Sequence, residues 1–178
     1  MIYFLLLFRQ IRPSRTPSGP IKSGFEQSAF RFNLPGMSAP VFHYTHRVTY
    51  AECTLGNHIY YARYLDLLEV ARGEFFRQID SALLAWQGRD VIFPVVECRL
   101  RYHSPARYDD TLRIELWPVA VEKVRLNFFH RILNQNHALI LEGETFHVCT
   151  GFNEKPKRLP EELVAKLLPY SRPAEKRP

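Results

Sequence analysis

Between residues 52 and 69 the sequence sets a run of side chains able to move a proton or polarise a bond. Glu52, Cys53, Thr54, Asn57 and His58 lie in a polar break, and Glu69 follows on a helix-like stretch. A carboxylate is a ready base, and a neutral imidazole such as His58 polarises a water or a carbonyl near pH 7. An unactivated threonine hydroxyl holds its proton too tightly to serve as base, so Thr54 is suited to positioning a water. Asn57 stands where a helix cap belongs, its side-chain oxygen accepting from helix amides; donation to a bound carbonyl is its other use. Cys53 has no legible His–Asp pair to activate it and reads as an unreactive thiol. His103, His130 and His147 fall on three different predicted strands without ligand spacing, so the sequence implies no metal.

The elements around these groups follow from periodicity. Residues 41–51 alternate and are β-branched or aromatic, the pattern of a strand. Residues 58–80 read as a long helix, with Tyr64, Leu68, Ala71, Phe75 and Ile79 forming an apolar stripe at helical period. Gly73 interrupts that helix at a cost of roughly 1 kcal/mol relative to Ala, which close approach to a sheet would explain. Four more strands are predicted at 91–103, 111–119, 124–134 and 138–149, separated by turn residues such as Asn134-Gln135-Asn136. A short helix is expected over Glu161–Leu168, with two acids favouring its first turn. A helix against five antiparallel strands is an α+β solution, the hot-dog arrangement of a five-stranded sheet wrapped around one long central helix. Such a sheet leaves a face and an edge to cover, which points to a homodimer or homotetramer.

Composition narrows the classes. The chain has 178 residues, 46% apolar and 24% charged, in keeping with one globular domain. Its net charge of +6 comes from the ends: residues 1–36 carry five basic residues and one acid, residues 37–153 twelve and thirteen, residues 154–178 seven and four. A neutral middle is no footprint for nucleic acid. The apolar start MIYFLLLF ends at Arg9, well short of the roughly 20 residues a membrane span needs, and its charges follow rather than precede it as in a signal peptide. Residues 9–36 are rich in Arg, Pro, Ser and Gly and read as a disordered extension, with Met37 the expected natural start. The expected organisation is this extension at 1–36, a domain at 37–157, and a short helix and tail at 158–178. Cys53, Cys98 and Cys149 form no CxxC pair, and an odd, widely spaced set excludes a disulfide scaffold and fits a reducing, cytoplasmic setting.

Two stretches carry a family resemblance. RVTYAECTLGNHIYYARYLDLLEVARGEFF, Arg47 to Phe76, resembles the opening of the 4-hydroxybenzoyl-CoA thioesterase branch of the hot-dog superfamily and of the acyl-CoA thioesterases associated with the Tol-Pal system. Arg47, Val48, Tyr50, His58, Tyr64, Leu65, Glu69, Ala71 and Arg72 match that pattern. RYHSPARYDDTLRIE, Arg101 to Glu115, is similar to the family's Y-x-x-P-A-x-x-D-D-x-L. There are departures. The family's loop aspartate falls on Thr54, the first acid of its D-T-D falls on Glu52, and the glycine before His58 is Asn57, with Gly56 one place earlier.

The resemblance implies hydrolysis of an acyl-CoA thioester without a cofactor, with acyl carrier protein an alternative carrier. It places the main-chain amide of Tyr61, at a helix start, as donor to the thioester oxygen, where unpaired amides favour negative charge. With Thr54 in the aspartate's place, Glu69 becomes the first candidate for the base. It lies eight residues past Tyr61, a rotation of roughly 80°, and a related hot-dog branch uses a helix acid at similar spacing. The other reading of Glu69 is a structural partner of Arg72, and Glu52 is the second candidate base. Tyr60 and Tyr64 are expected to line an acyl slot, with helix core as their other use. An acyl-thioester-binding protein without catalysis is the alternative function. A hot-dog dehydratase fits less well, because its proline-bearing patterns are missing.

Overall fold

A computed structural model describes residues 39–172. Contacts divide the chain into Met1–Leu34 and Pro35–Pro178, and the described residues lie in the second unit. The expectations for the extension at 1–36, for Met37 and for residues 173–178 of the tail fall outside the described residues. Within them the order is β1 (Phe42–Arg47), a 3-10 turn (Tyr50–Glu52), α1 (Arg63–Gln78), α2 (Leu83–Gln87), β2 (Val95–Tyr102), β3 (Thr111–Glu122), β4 (Arg125–Leu133), β5 (Leu139–Val148), α3 (Glu161–Leu167) and a 3-10 turn (Leu168–Tyr170).

The five strands form one antiparallel sheet in the order β1-β3-β4-β5-β2. This is the hot-dog topology, with β1 and β2 at the edges. The β4–β5 connection is the turn the sequence signalled: Asn134 Oδ1 accepts from the amides of Asn136 and Ala138, and His137 adopts a φ of 60°. Between β3 and β4 the register shifts at Pro118, which has no N–H to give the ladder. Gly143 of β5 opposes Leu100 of β2, and a Cβ there would stand 2.1 Å from the carbonyl oxygen of Arg99, so only glycine permits that pairing distance.

One sheet face carries α1, whose backbone runs nearest β1 and β3. Tyr64, Leu67, Leu68, Ala71, Phe75 and Phe76 turn inward and are buried. Phe75 packs on Phe42, Phe128 and Tyr170 at ring-centroid distances of 5.5, 6.0 and 5.2 Å. Each such apolar side chain removed from water contributes about 1.5–3 kcal/mol. Leu163 and Leu167 of α3 are fully buried in the same core, so packing continues past the expected boundary at residue 157.

The helix is shorter than its periodicity suggested: 16 residues from Arg63, where residues 58–80 were expected. Residues 58–60 stay outside the helix because Ile59 bridges Cys53 and the Tyr60 amide donates to the Glu52 carbonyl at 3.2 Å. Close approach to the sheet does not explain Gly73. A Cβ there would meet only the tip of Arg77, at 3.9 Å. Gly73→Ala is therefore expected to stabilise the protein by about 0.5–1 kcal/mol, read from the midpoint of denaturant unfolding.

Beneath α1, between β4 and β5, lies a polar chain. Phe93's carbonyl can only accept, so His147 Nδ1 donates to it at 3.2 Å. His147 Nε2 then accepts from the Thr145 hydroxyl at 2.9 Å, and Thr145 Oγ1 accepts from His130 Nε2 at 2.9 Å. His130 Nδ1 ends the chain as an acceptor without a partner among the described residues. Burial first, then the charge of Arg72, pushes His130 to about 3 and His147 to about 4. Both imidazoles fold neutral but bind a proton near pH 6.5 when unfolded. Their contribution is fully present above pH 6.5 and is lost as the pH falls toward 4 and 3, at about 1.4 kcal/mol per pH unit per imidazole. Denaturant titrations at pH 7, 6 and 5 are expected to show this fall, and a single His147→Gln change to make it shallower.

Candidate functional site

The two motifs meet in space. The segment ahead of α1 is folded by its own backbone: the Thr54 amide donates to the His58 carbonyl at 2.9 Å and the Asn57 amide to the Thr54 carbonyl at 3.0 Å. Asn57 takes a φ of 52°, a left-handed conformation that asparagine tolerates well. Gly56, one place earlier, leaves room for the His58 ring, whose Cε1 would lie 2.6 Å from a Cβ there. The loop then docks on residues 106–110. The Ile59 amide donates to the Ala106 carbonyl at 2.9 Å, and the Ala106 amide donates to the Tyr64 hydroxyl at 3.1 Å.

Several expected site residues come together here. The Thr54 hydroxyl lies 3.2 Å from the His58 carbonyl and 3.5 Å from both ring nitrogens of His58. His58 is exposed and Thr54 half-buried. Asn57 does not cap the helix. Its Oδ1 accepts from the Tyr108 amide at 3.3 Å, and the first position of α1 has no side-chain cap. Among the described residues the amides of Tyr61 and Ala62 donate to no acceptor. Two bare amides at a helix start form a place for negative charge.

The tyrosines part company. Tyr60 and Tyr61 are exposed, their rings tilted to each other with centroids 4.6 Å apart, whereas Tyr64 is 3% exposed, with its hydroxyl spent on Ala106. Its place is the core rather than the wall of an open slot.

The two carboxylates differ in what holds them. Glu52 closes a capping box: its Oε2 accepts from the Thr49 amide at 2.6 Å and hydroxyl at 2.7 Å, and its carboxylate meets His46 Nε2 at 2.9 Å. Burial pushes this carboxyl up, but the bonds from Thr49 and His46 outweigh it and hold the pKa below the usual range. That makes Glu52 a structural acid and a poor base. The T-x-x-E spacing of Thr49 and Glu52 is the signal that marks this in the sequence. Glu69 is exposed and makes no ion pair within 4.0 Å among the described residues. Its charge is felt by Arg72, whose pKa burial lowers against that pull.

The three histidines do not converge. His130 and His147 share Thr145 under α1, while His103 meets Glu142 at 3.0 Å. Among the described residues no group of three or more His, Cys, Asp or Glu gathers to hold a metal. All three cysteines are free thiols. No helix among the described residues is long and apolar enough to cross a membrane.

Comparison with known proteins falls on the same stretch. The model of a family described as the thioesterase-like superfamily matches residues 48–167. The chain is 32% identical to an acyl-CoA thioester hydrolase, YbgC, of Escherichia coli over 130 residues, 72% of this chain and 97% of that protein. Among solved structures, a hypothetical protein of Thermus thermophilus superposes with a TM-score of 0.68 at 27% identity, over 74% of this chain and 98% of its own. A 1,4-dihydroxy-2-naphthoyl-CoA thioesterase of Synechocystis superposes at 0.68 with 20% identity, over 72% and 96%, a likeness of fold.

If Glu52 is structural, Glu52→Gln should act on stability before chemistry. The expected cost is about 1–2 kcal/mol, read as a lowered unfolding midpoint, because the amide keeps one acceptor but loses the charge-assisted bonds.

Proposed function

The chain belongs to the thioesterase-like superfamily, and on that premise we propose that it hydrolyses an acyl-CoA thioester to a free acid and CoA. The observation that carries this reading is the pair of unspent amides, Tyr61 and Ala62, at the uncapped start of α1. A thioester carbonyl set against them develops its negative charge where two N–H groups and the helix dipole favour it. Water supplies the nucleophile. Its oxygen bonds to the carbonyl carbon while a carboxylate takes its proton. The tetrahedral intermediate then collapses, the C–S bond breaks, and the CoA sulfur leaves with a proton as the thiol.

Glu69 is the proposed base. Among the described residues it has no ion-pair partner, whereas Glu52 is engaged. From Ala62, the cap of α1, to Glu69 is seven residues, about 10 Å along the axis. Helical side chains lean toward the N-terminus, so the carboxylate recovers several ångströms of that, and an intervening water with the carbonyl spans the rest. Thr54 and His58, in reach of each other in the loop before α1, are the groups we assign to hydrogen-bond the water or the carbonyl. Asn57 shapes the loop through Tyr108. The exposed rings of Tyr60 and Tyr61 offer apolar surface to the acyl group.

A homo-oligomer, dimer or tetramer, fits the free edge of β2. That strand is exposed along most of its length and carries Val95, Val96 and Tyr102, with Leu65 and Val70 of α1 also exposed. A cytoplasmic setting fits the acyl-CoA substrate.

The test is thiol release by the purified full chain from short, long and aromatic acyl-CoAs, with Glu69→Gln alongside. Turnover that falls by about 10²-fold or more in the variant is expected. Unchanged turnover would assign the base elsewhere. Binding of acyl-CoA without turnover would make the protein a thioester-binding member of the family.

A further inference from the structure

The amides at the start of α1 point where they do because the carbonyls of their peptide units are held. A peptide is planar and trans, so its N–H and C=O point in opposite directions, and fixing one aims the other. The Tyr61 amide shares a unit with the Tyr60 carbonyl, which accepts from the Arg63 amide at 2.8 Å. That bond comes with the helix start itself. The Ala62 amide shares a unit with the Tyr61 carbonyl. Among the described residues this carbonyl accepts no backbone bond; its partner is the hydroxyl of Tyr102, at 3.1 Å.

Tyr102 ends β2, 41 residues further along the chain. Its ring stands edge-on to Tyr64 at 5.6 Å, and Tyr64 is buried and tied to the Ala106 amide. The phenol is therefore mounted on the core and reaches out to the helix start. Burial, then the neighbouring Tyr61, raises its pKa, so the hydroxyl keeps the proton it donates.

We propose that Tyr102 is a positioning residue, which aims the Ala62 amide at the thioester oxygen by anchoring the Tyr61 carbonyl. This rests on the thioesterase reading above. Without the anchor the Tyr61–Ala62 peptide is free to rotate, and the donor is lost from the geometry that stabilises the oxyanion. The ground state depends on that donor less than the transition state does.

Tyr102→Phe keeps the ring and removes only the hydroxyl. The expected result is a kcat about tenfold lower at nearly unchanged KM and unchanged unfolding midpoint. A p-amino-phenylalanine side chain at position 102, which retains a donor, should restore most of the rate. A non-hydrolysable acyl-CoA ketone analogue labelled with 13C at its carbonyl gives a second readout: the downshift of its infrared stretch on binding should shrink in Tyr102→Phe. Backbone 15N relaxation reads the anchor without turnover, and faster motion at Tyr61 and Ala62 is expected in the variant. A wild-type protein inactive on every acyl-CoA, yet showing that relaxation change, would sink the thioesterase reading and leave the anchor standing. Unchanged relaxation, an unchanged kcat, or a loss shared by kcat, KM and stability would overturn the positioning role.

Discussion

Ala106 is fully buried and spends both of its backbone groups on the segment that launches α1. Its carbonyl takes the Ile59 amide, and its amide donates to the phenol of Tyr64. A buried peptide must find partners, because each group left unpaired costs about 1–3 kcal/mol. That requirement welds the loop before the helix to the loop before β3. Tyr64 and Tyr102 then share a ring contact, and Tyr102 reaches the Tyr61 carbonyl. The helix start is thus located by the sheet rather than by a cap of its own. An uncapped helix start is ordinarily a weakness, and here it leaves two amides free.

The sheet face turned away from α1 answers a different constraint. Arg101, Glu142, Arg131, Glu115 and His43 stand in register across all five strands, with the charge alternating from β2 to β3. Glu115 is almost wholly buried. Arg131 reaches it through Nε and Nη2 at 2.9 and 2.8 Å, and Arg113 at 3.0 Å. A lone buried carboxylate there would be costly, and the two guanidiniums make it tolerable. The polar chain under α1 is the opposite device. It keeps two imidazoles neutral and orders their protons from one carbonyl.

Much of the fold was legible because its elements are periodic. β3, β4 and β5 fall within a few residues of their predicted bounds, since alternation in Leu112, Ile114 and Leu116 has one reading on a half-buried sheet. The start of α1 was not legible. Periodicity carries on through His58 and Ile59, whereas the backbone there is claimed by Cys53 and Ala106, partners 6 and 47 residues away. Asn57 has the residue type of a cap, but a long-range bond to Tyr108 outbids the local one. α2 is too short to show a period. Tyr102 lies in the motif from Arg101 to Glu115, yet nothing local reveals that its hydroxyl reaches a carbonyl across the fold.

Thr54 is the departure that gives the site its character, and the loop shows why an acid would not simply slot into its place. The side chain of residue 54 faces the carbonyl of His58, and its hydroxyl donates there at 3.2 Å. A carboxylate would set one acceptor against another, with the Thr54 amide already bound to the same carbonyl. The turn is closed by a donor at this position, and Gly56 makes room for the His58 ring that the closed turn brings back on itself. The loop before α1 brings a hydroxyl and an imidazole together, and its own acid, Glu52, is bound into the Thr49 box. Chemistry that needs a free carboxylate must draw it from outside the loop, and the helix that follows carries one at Glu69.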